Sequence, residues 1–229
     1  MTTQATLATM LFDPVKGFSD VLLRPRAWLP MLAVLGGAVA IYALYFQTVD
    51  FGWFVERTLD ANPQFTDDQR EVARRVIQPN TMMWSTLVIT VVVTPLLFAV
   101  FALYYLLVAQ VLGHKVPFGK WYAFCIWTAV PRLVVYPLMV YQILSSKGQV
   151  ALEDLSMVSL NYLLGPQGDP TPWTGLASAI DLTTFWSAAV SVVGFRVWTG
   201  ESLRTSIVVN AIPYAVFYGL WALRIALAG

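Results

Sequence analysis

The chain has little charge. Of its 229 residues only 12% are Asp, Glu, Lys or Arg, while 58% are hydrophobic. A soluble domain is about 25% charged and about 45–50% apolar, so this chain cannot coat a water-facing surface of its size. An ordinary cytosolic enzyme and a disordered chain are both excluded. The net charge is +1, and no global basic field exists to hold nucleic acid. The one cysteine, Cys125, excludes an intrachain disulfide and sits in an apolar stretch as a small packing residue. The one histidine, His114, leaves a zinc site of several His and Cys ligands impossible within one chain. P-loop, dinucleotide, HExxH and GxSxG motifs are all missing. A serine triad would have to use His114, which lies in the tight loop Gly113-His114-Lys115-Val116-Pro117 and reads as a solvated interfacial residue. No cofactor and no enzyme activity are expected.

What the chain does have is long apolar runs. Five are present, at 28–46, 82–112, 121–145, 176–198 and 203–228. A spanning helix needs about 20 apolar residues, within about 17–25. The expected fold class is therefore all-α: a polytopic membrane protein with five transmembrane helices and short interfacial helices, in a single domain over 1–229. The second run is too long for an upright helix and holds Pro95, so it tilts, kinks or runs past the bilayer surface. The third holds Pro131 and Pro137 and is the least regular, because carbonyls freed by proline need other partners. Trp28, Trp84, Trp121, Trp198 and Trp221 mark span ends, as indoles favour the headgroup level. Ala33, Gly36, Gly37 and Ala40, and Ser187 with Ser191, are small enough for close helix approach. Ala38-Val39-Ala40 fits a leader-cleavage pattern, but the apolar run continues to Phe46, and an uncleaved first span is the simpler reading.

Positive charge sets the direction. With a cytoplasmic N-terminus, the inner segments carry Lys16, Arg24, Arg26, Lys115, Lys120, Arg196 and Arg204. The longer outer loops carry Arg57, Arg70, Arg74, Arg75 and Lys147. The density of positive charge favours the N-terminus inside and the C-terminus outside.

Three extramembrane helices are expected. Asp13-Pro14 starts one over 14–24, with Phe18 on its apolar stripe and Lys16, Arg24 and Arg26 placed for anionic headgroups. Thr66-Asp67-Asp68-Gln69 is a capping box for a second over 67–78, in which Asp67 and Asp68 complement the helix dipole. The third, over 150–164, is rich in Leu, Val and Met and reads as surface-lying. A turn-rich link from Gly165 to Pro172 follows.

Ionisable residues within spans are rare and face the bundle or water. Arg132 lies about 12 residues into the third span, roughly 18 Å along the axis. It needs a carboxylate, backbone carbonyls or a wet cavity. Asp181 is a candidate partner, although the two depths differ by about 12 Å if both helices run upright. The alternative puts Asp181 at the headgroup level and gives Arg132 the carbonyls freed by Pro131 or Pro137. Asn210 and Pro213 interrupt the fifth run, and Arg196 and Arg224 lie near helix ends, where they can snorkel.

Several stretches together carry a family likeness. They are Asp13-Pro14 through Phe18, Arg24-Pro25 before the first span, and the proline-broken third span over 124–133. Leu160-Asn161-Tyr162-Leu163-Leu164 follows, then Ile180-Asp181-Leu182-Thr183-Thr184-Phe185-Trp186 through Gly194, and the helix from Arg204 to Leu220. In order and spacing the chain resembles the Yip (Ypt-interacting-protein) family of five-span membrane proteins over most of its length. The resemblance implies an all-helical bundle with a cytoplasmic N-terminus. Eukaryotic relatives act in vesicle traffic and contact small GTPases through a longer N-terminal region. Only about 27 residues precede the first span here, so GTPase contact is not carried over. The short tail and ten Arg against four Lys match a bacterial-type member of the inner membrane. The expected role is a non-enzymatic scaffold that organises the bilayer and recruits a protein partner or a second copy. A lipid or small-solute carrier built on the broken third span is the alternative, and a membrane enzyme ranks last.

Overall fold

The computed structural model describes residues 3–60, 65–165 and 171–228; residues 166–170, at the heart of the expected turn-rich link, lie outside the described residues. Helices α1 (Thr3–Phe12), α2 (Pro14–Leu23) and α3 (Trp28–Thr48) open the chain, followed by α4 (Phe51–Asp60), α5 (Asp67–Val76) and α6 (Pro79–Val111). Then come α7 (Phe118–Thr128), a 3₁₀ turn (Val130–Val134), α8 (Tyr136–Ser145), α9 (Leu160–Leu163), α10 (Thr174–Ala179), α11 (Leu182–Thr199) and α12 (Leu203–Ala228). Among the described residues, four segments are long and apolar enough to cross a membrane: α3, α6, the α7–α8 run from Phe118 to Ser145, and α12. The expected fourth span is not among them.

The caps appear where side-chain chemistry places them. Asp13 accepts from the Lys16 N–H at 3.2 Å and Pro14 opens α2. Thr66 and Gln69 close a reciprocal capping box on α5. Two helices were not anticipated. α1 precedes Asp13 and folds back on α2, with Met10 against Gly17. α4 fills part of the 47–81 loop, and its buried Phe54, Val55 and Leu59 follow a helical stripe. Arg74 of α5 chelates Glu56 of α4 at 2.9 and 3.0 Å, which holds the exposed Glu56 carboxyl below its usual range.

α6 runs unbroken through Pro95 for 33 residues. That is about 50 Å at 1.5 Å per residue, well beyond a hydrocarbon core of about 30 Å. Its Val88, Val92, Leu96, Val100, Leu103 and Leu107 are exposed, as lipid-facing residues are.

Two expected elements are corrected. The 150–164 stretch is not one helix. Leu152–Asp154 is a 3₁₀ turn and α9 is a single helical turn. Between them the backbone turns outward to pair: Leu160 N–H donates to Ile180 O at 2.7 Å, and Leu182 N–H donates to Val158 O at 3.1 Å. Those donors and acceptors are spent on an antiparallel bridge instead of a helical ladder. The same bridge breaks the 176–198 segment at Ile180 and Asp181, so α10 ends and α11 begins anew.

Two apolar cores form, one towards each end of the bundle. The first joins α2, α6, α7 and α11 around Phe18, Tyr105, Trp121, Phe124, Phe195 and Trp198. The indoles of Trp121 and Trp198 meet in it, 5.3 Å apart and tilted by 45°, so these two are core residues and not part of an interfacial belt. Trp28 and Trp84 are exposed. The second core gathers Ile41, Tyr45, Phe54, Leu59, Met139 and Ile143. There the Tyr45 hydroxyl donates to Val150 O at 3.0 Å, which seats the 150–155 segment on the end of α3.

Two glycines allow the closest approaches. A Cβ on Gly37 would collide with the Tyr136 ring, and one on Gly194 would sit 2.5 Å from the Phe18 ring. Around Gly36 there is nothing within 4 Å. Gly194→Ala is therefore expected to lose about 1–3 kcal/mol through overpacking and to loosen α2 from α11. Gly36→Ala should leave stability unchanged or raise it by about 0.5–1 kcal/mol. Thermal unfolding of the detergent-solubilised protein, with proteolysis near residue 25, checks both.

Candidate functional site

The third span changes course at residues 129–135. Pro131 has no N–H and sits in the first turn of the 3₁₀ segment, where a helix leaves that donor unused. Around it the N–H groups reach back three residues: Ala129 to Ile126 O at 3.2 Å, Arg132 to Ala129 O at 3.1 Å, and Val135 to Arg132 O at 3.1 Å. Pro137 lies in the first turn of α8 and restarts the α-helix. The two prolines thus cut the span, and hydrogen bonds reaching three residues back carry the backbone across the break.

At this break lies a cavity of about 450 Å³, bounded by α3, α6, α7, α8, α10, α11 and α12. Arg132 projects from the 3₁₀ turn, lines the cavity and is exposed to it. Among the described residues it is the one charged residue in the lining. The Tyr136 hydroxyl, in the same lining, donates to Val34 O at 2.8 Å. Tyr218, whose hydroxyl donates to Ala179 O at 3.1 Å, stands within the fields of both Arg132 and Asp181.

The candidate Arg132–Asp181 pair does not form; among the described residues no carboxylate lies within ion-pair distance of Arg132. Asp181 is buried and caps α11 instead. Its Oδ1 accepts from Thr184 N–H at 2.9 Å and from the Thr183 hydroxyl at 2.6 Å. A carboxylate at Ncap satisfies the orphan donors of a helix start, and here that duty fixes the head of α11 beside the cavity.

Asn210 is buried on α12. Its Oδ1 accepts from the Tyr105 hydroxyl at 2.7 Å and its Nδ2 donates to Ser206 O at 2.8 Å. With Tyr104 donating to Val209 O at 2.7 Å, it joins α6 to α12 at one end of the cavity. Phe18, expected at the interface, is fully buried in the first core. It lies 5.1 Å from Phe124, and its carbonyl accepts from Trp198 Nε1 at 3.0 Å. The stripe that marks Phe18 as apolar cannot tell lipid from protein. Lys16, Arg24 and Arg26 are exposed. His114 meets Glu201 at 3.0 Å, which links the α6–α7 and α11–α12 loops. What the sequence reading missed is the ring of hydroxyl residues around Arg132, since Thr90, Thr94, Ser187 and Tyr214 come from three separate helices.

The α6–α12 tie separates two kinds of hydroxyl. Tyr105→Phe leaves the Asn210 carbonyl oxygen unmet in a buried site and should cost between about 0.6 and 1.7 kcal/mol. Tyr104→Phe relieves only a carbonyl of the α12 backbone and should cost less than about 0.6 kcal/mol. Unfolding in mixed detergent micelles distinguishes them.

The Yip1 domain family model matches the chain over residues 8–224. No curated protein and no solved structure matches it. The matched stretch takes in α2, the broken third span, the Asp181 cap and nearly all of α12, and on that match the chain belongs to the Yip1 domain family of membrane proteins.

Proposed function

We propose that this protein is a non-enzymatic scaffold of the inner membrane that crosses the bilayer five times, organises the lipid around it and recruits a protein partner or a second copy. The carrying observation is the outward face of the N-terminal helix pair. Gly17, Phe18 and Val21 are buried against the bundle, which leaves Phe12, Val15 and Leu23 exposed beside Lys16, Arg24 and Arg26. Large apolar side chains bordered by basic ones suit a helix lying in an anionic leaflet. Because α2 is latched to α11, any lipid or protein gathered there is held at a fixed place on the bundle.

α11 supplies the fifth crossing. Its 18 residues reach about 27 Å, close to the hydrocarbon thickness of about 30 Å. An odd number of crossings puts the termini on opposite sides, and the positive-charge distribution puts the N-terminus in the cytoplasm.

Two measurements test this reading. A C-terminal reporter active only outside the cytoplasm should score positive; a silent reporter on a well-expressed protein refutes the topology. Photo-crosslinkers at positions 16, 24 and 26 in native membranes should capture a defined partner or an oligomer, and charge reversal at all three should abolish capture. A protein that stays monomeric, captures nothing and leaves vesicle shape unchanged would refute the scaffold.

A further inference from the structure

We infer that the cavity around Arg132 is a binding site for the phosphate headgroup of an anionic glycerophospholipid, which enters sideways from the bilayer between α6 and α12. This rests on the membrane-spanning character of the helices and not on the scaffold role.

Charge comes first. A guanidinium near the middle of a span is costly unless something meets it. The lining holds no acidic residue, and Asp181 is committed to the α11 cap. The site therefore carries one uncompensated positive charge in a low-dielectric setting. Guanidinium binds phosphate oxygens in pairs, with geometry as well as charge.

Unused hydrogen-bonding capacity is the second observation. The hydroxyls of Tyr42, Thr94, Ser187 and Tyr214 belong to lining residues and form no hydrogen bond with any described residue. Thr90, Thr128 and Ser191, by contrast, already donate to carbonyls of their own helices. Polar groups in a membrane protein interior are satisfied as a rule. Four open hydroxyls in the lining that holds one cation make a set suited to a tetrahedral anion.

The third observation is access. α6 and α12 are tied at one end by the Tyr105–Asn210 and Tyr104–Val209 hydrogen bonds. Beyond that tie, Leu97 of α6 and Phe217 of α12 line the cavity while remaining 45% and 52% exposed. Both lie in segments that face lipid. A mouth bordered by apolar side chains on two spanning helices admits an amphiphile whose acyl chains stay outside, while a free anion would have to cross hydrocarbon to reach it. The volume of about 450 Å³ falls in the range of about 300–1,000 Å³ typical of ligand sites.

The test uses the full chain in nanodiscs. Brominated phosphatidylglycerol should quench tryptophan fluorescence saturably, and brominated phosphatidylcholine at least about tenfold more weakly. Arg132→Gln should lower phosphatidylglycerol affinity about tenfold or more, and Arg132→Lys by less. If Arg132→Gln does not fold, the Ser187→Ala, Tyr214→Phe pair should weaken binding without touching the charge. Wild-type affinity in Arg132→Gln or in the hydroxyl pair overturns the proposal, as does equal quenching by the two lipids. Competition by millimolar inorganic phosphate would assign the site to a free anion and overturn the lipid. Partner capture at positions 16, 24 and 26 is read separately, so failure here leaves the scaffold standing and the reverse holds equally.

Discussion

The constraint on which the structure depends is that no backbone group in hydrocarbon can go unpaired. The third span contains two prolines and still keeps a hydrogen-bonded backbone across them. It does so by tightening to three residues per turn over residues 130–134 and restarting as α8. The change divides the bundle. α7 above the break belongs to one aromatic core and α8 below it to the other. The region between is where non-helical backbone is tolerable only beside protein or a cavity, and there the cavity is found.

Around that break the helices are held by shape. Lipid tails are as apolar as leucine, so association in a bilayer relies on close packing and a few hydrogen bonds. Gly37 receives the Tyr136 ring from α8, and Gly194 receives the Phe18 ring from α2. One contact closes the second core against the broken span, and the other binds the N-terminal helices to α11. Polar ties are equally sparse. Tyr105 with Asn210, Trp198 with the Phe18 carbonyl and Trp127 with the Arg26 carbonyl at 3.1 Å each bridge distant elements. The bundle is fixed by a handful of directional contacts set in a large apolar surface.

Much of this is readable from composition and local pattern. Runs of apolar residues give the long helices, and Asp13-Pro14 and Thr66 with Gln69 give their helix starts, because caps act within four residues. The 150–164 and 176–198 stretches misled for the opposite reason. Their helices are interrupted by hydrogen bonds between residues 158–160 and 180–182, a pairing that no local window contains. Phe18 and Trp121 read as interfacial because apolar character alone does not say whether lipid or protein covers a side chain. Asp181 was visible as a charge in an apolar context, yet its partner is the start of its own helix and not Arg132. The importance of Arg132 was legible; the hydroxyls that share its cavity were not, since they converge only once α3, α6, α11 and α12 are assembled.

The link between Phe18 and Trp198 spans 180 residues. A ribosome makes about 5–20 residues per second, so α2 leaves the exit tunnel roughly ten seconds or more before α11 exists to receive it. In that interval Phe18 has α1 beside its helix and, later, Phe124 of α7, but neither Gly194 nor Trp198. Assembly of the first core is thus gated by completion of the fourth apolar segment.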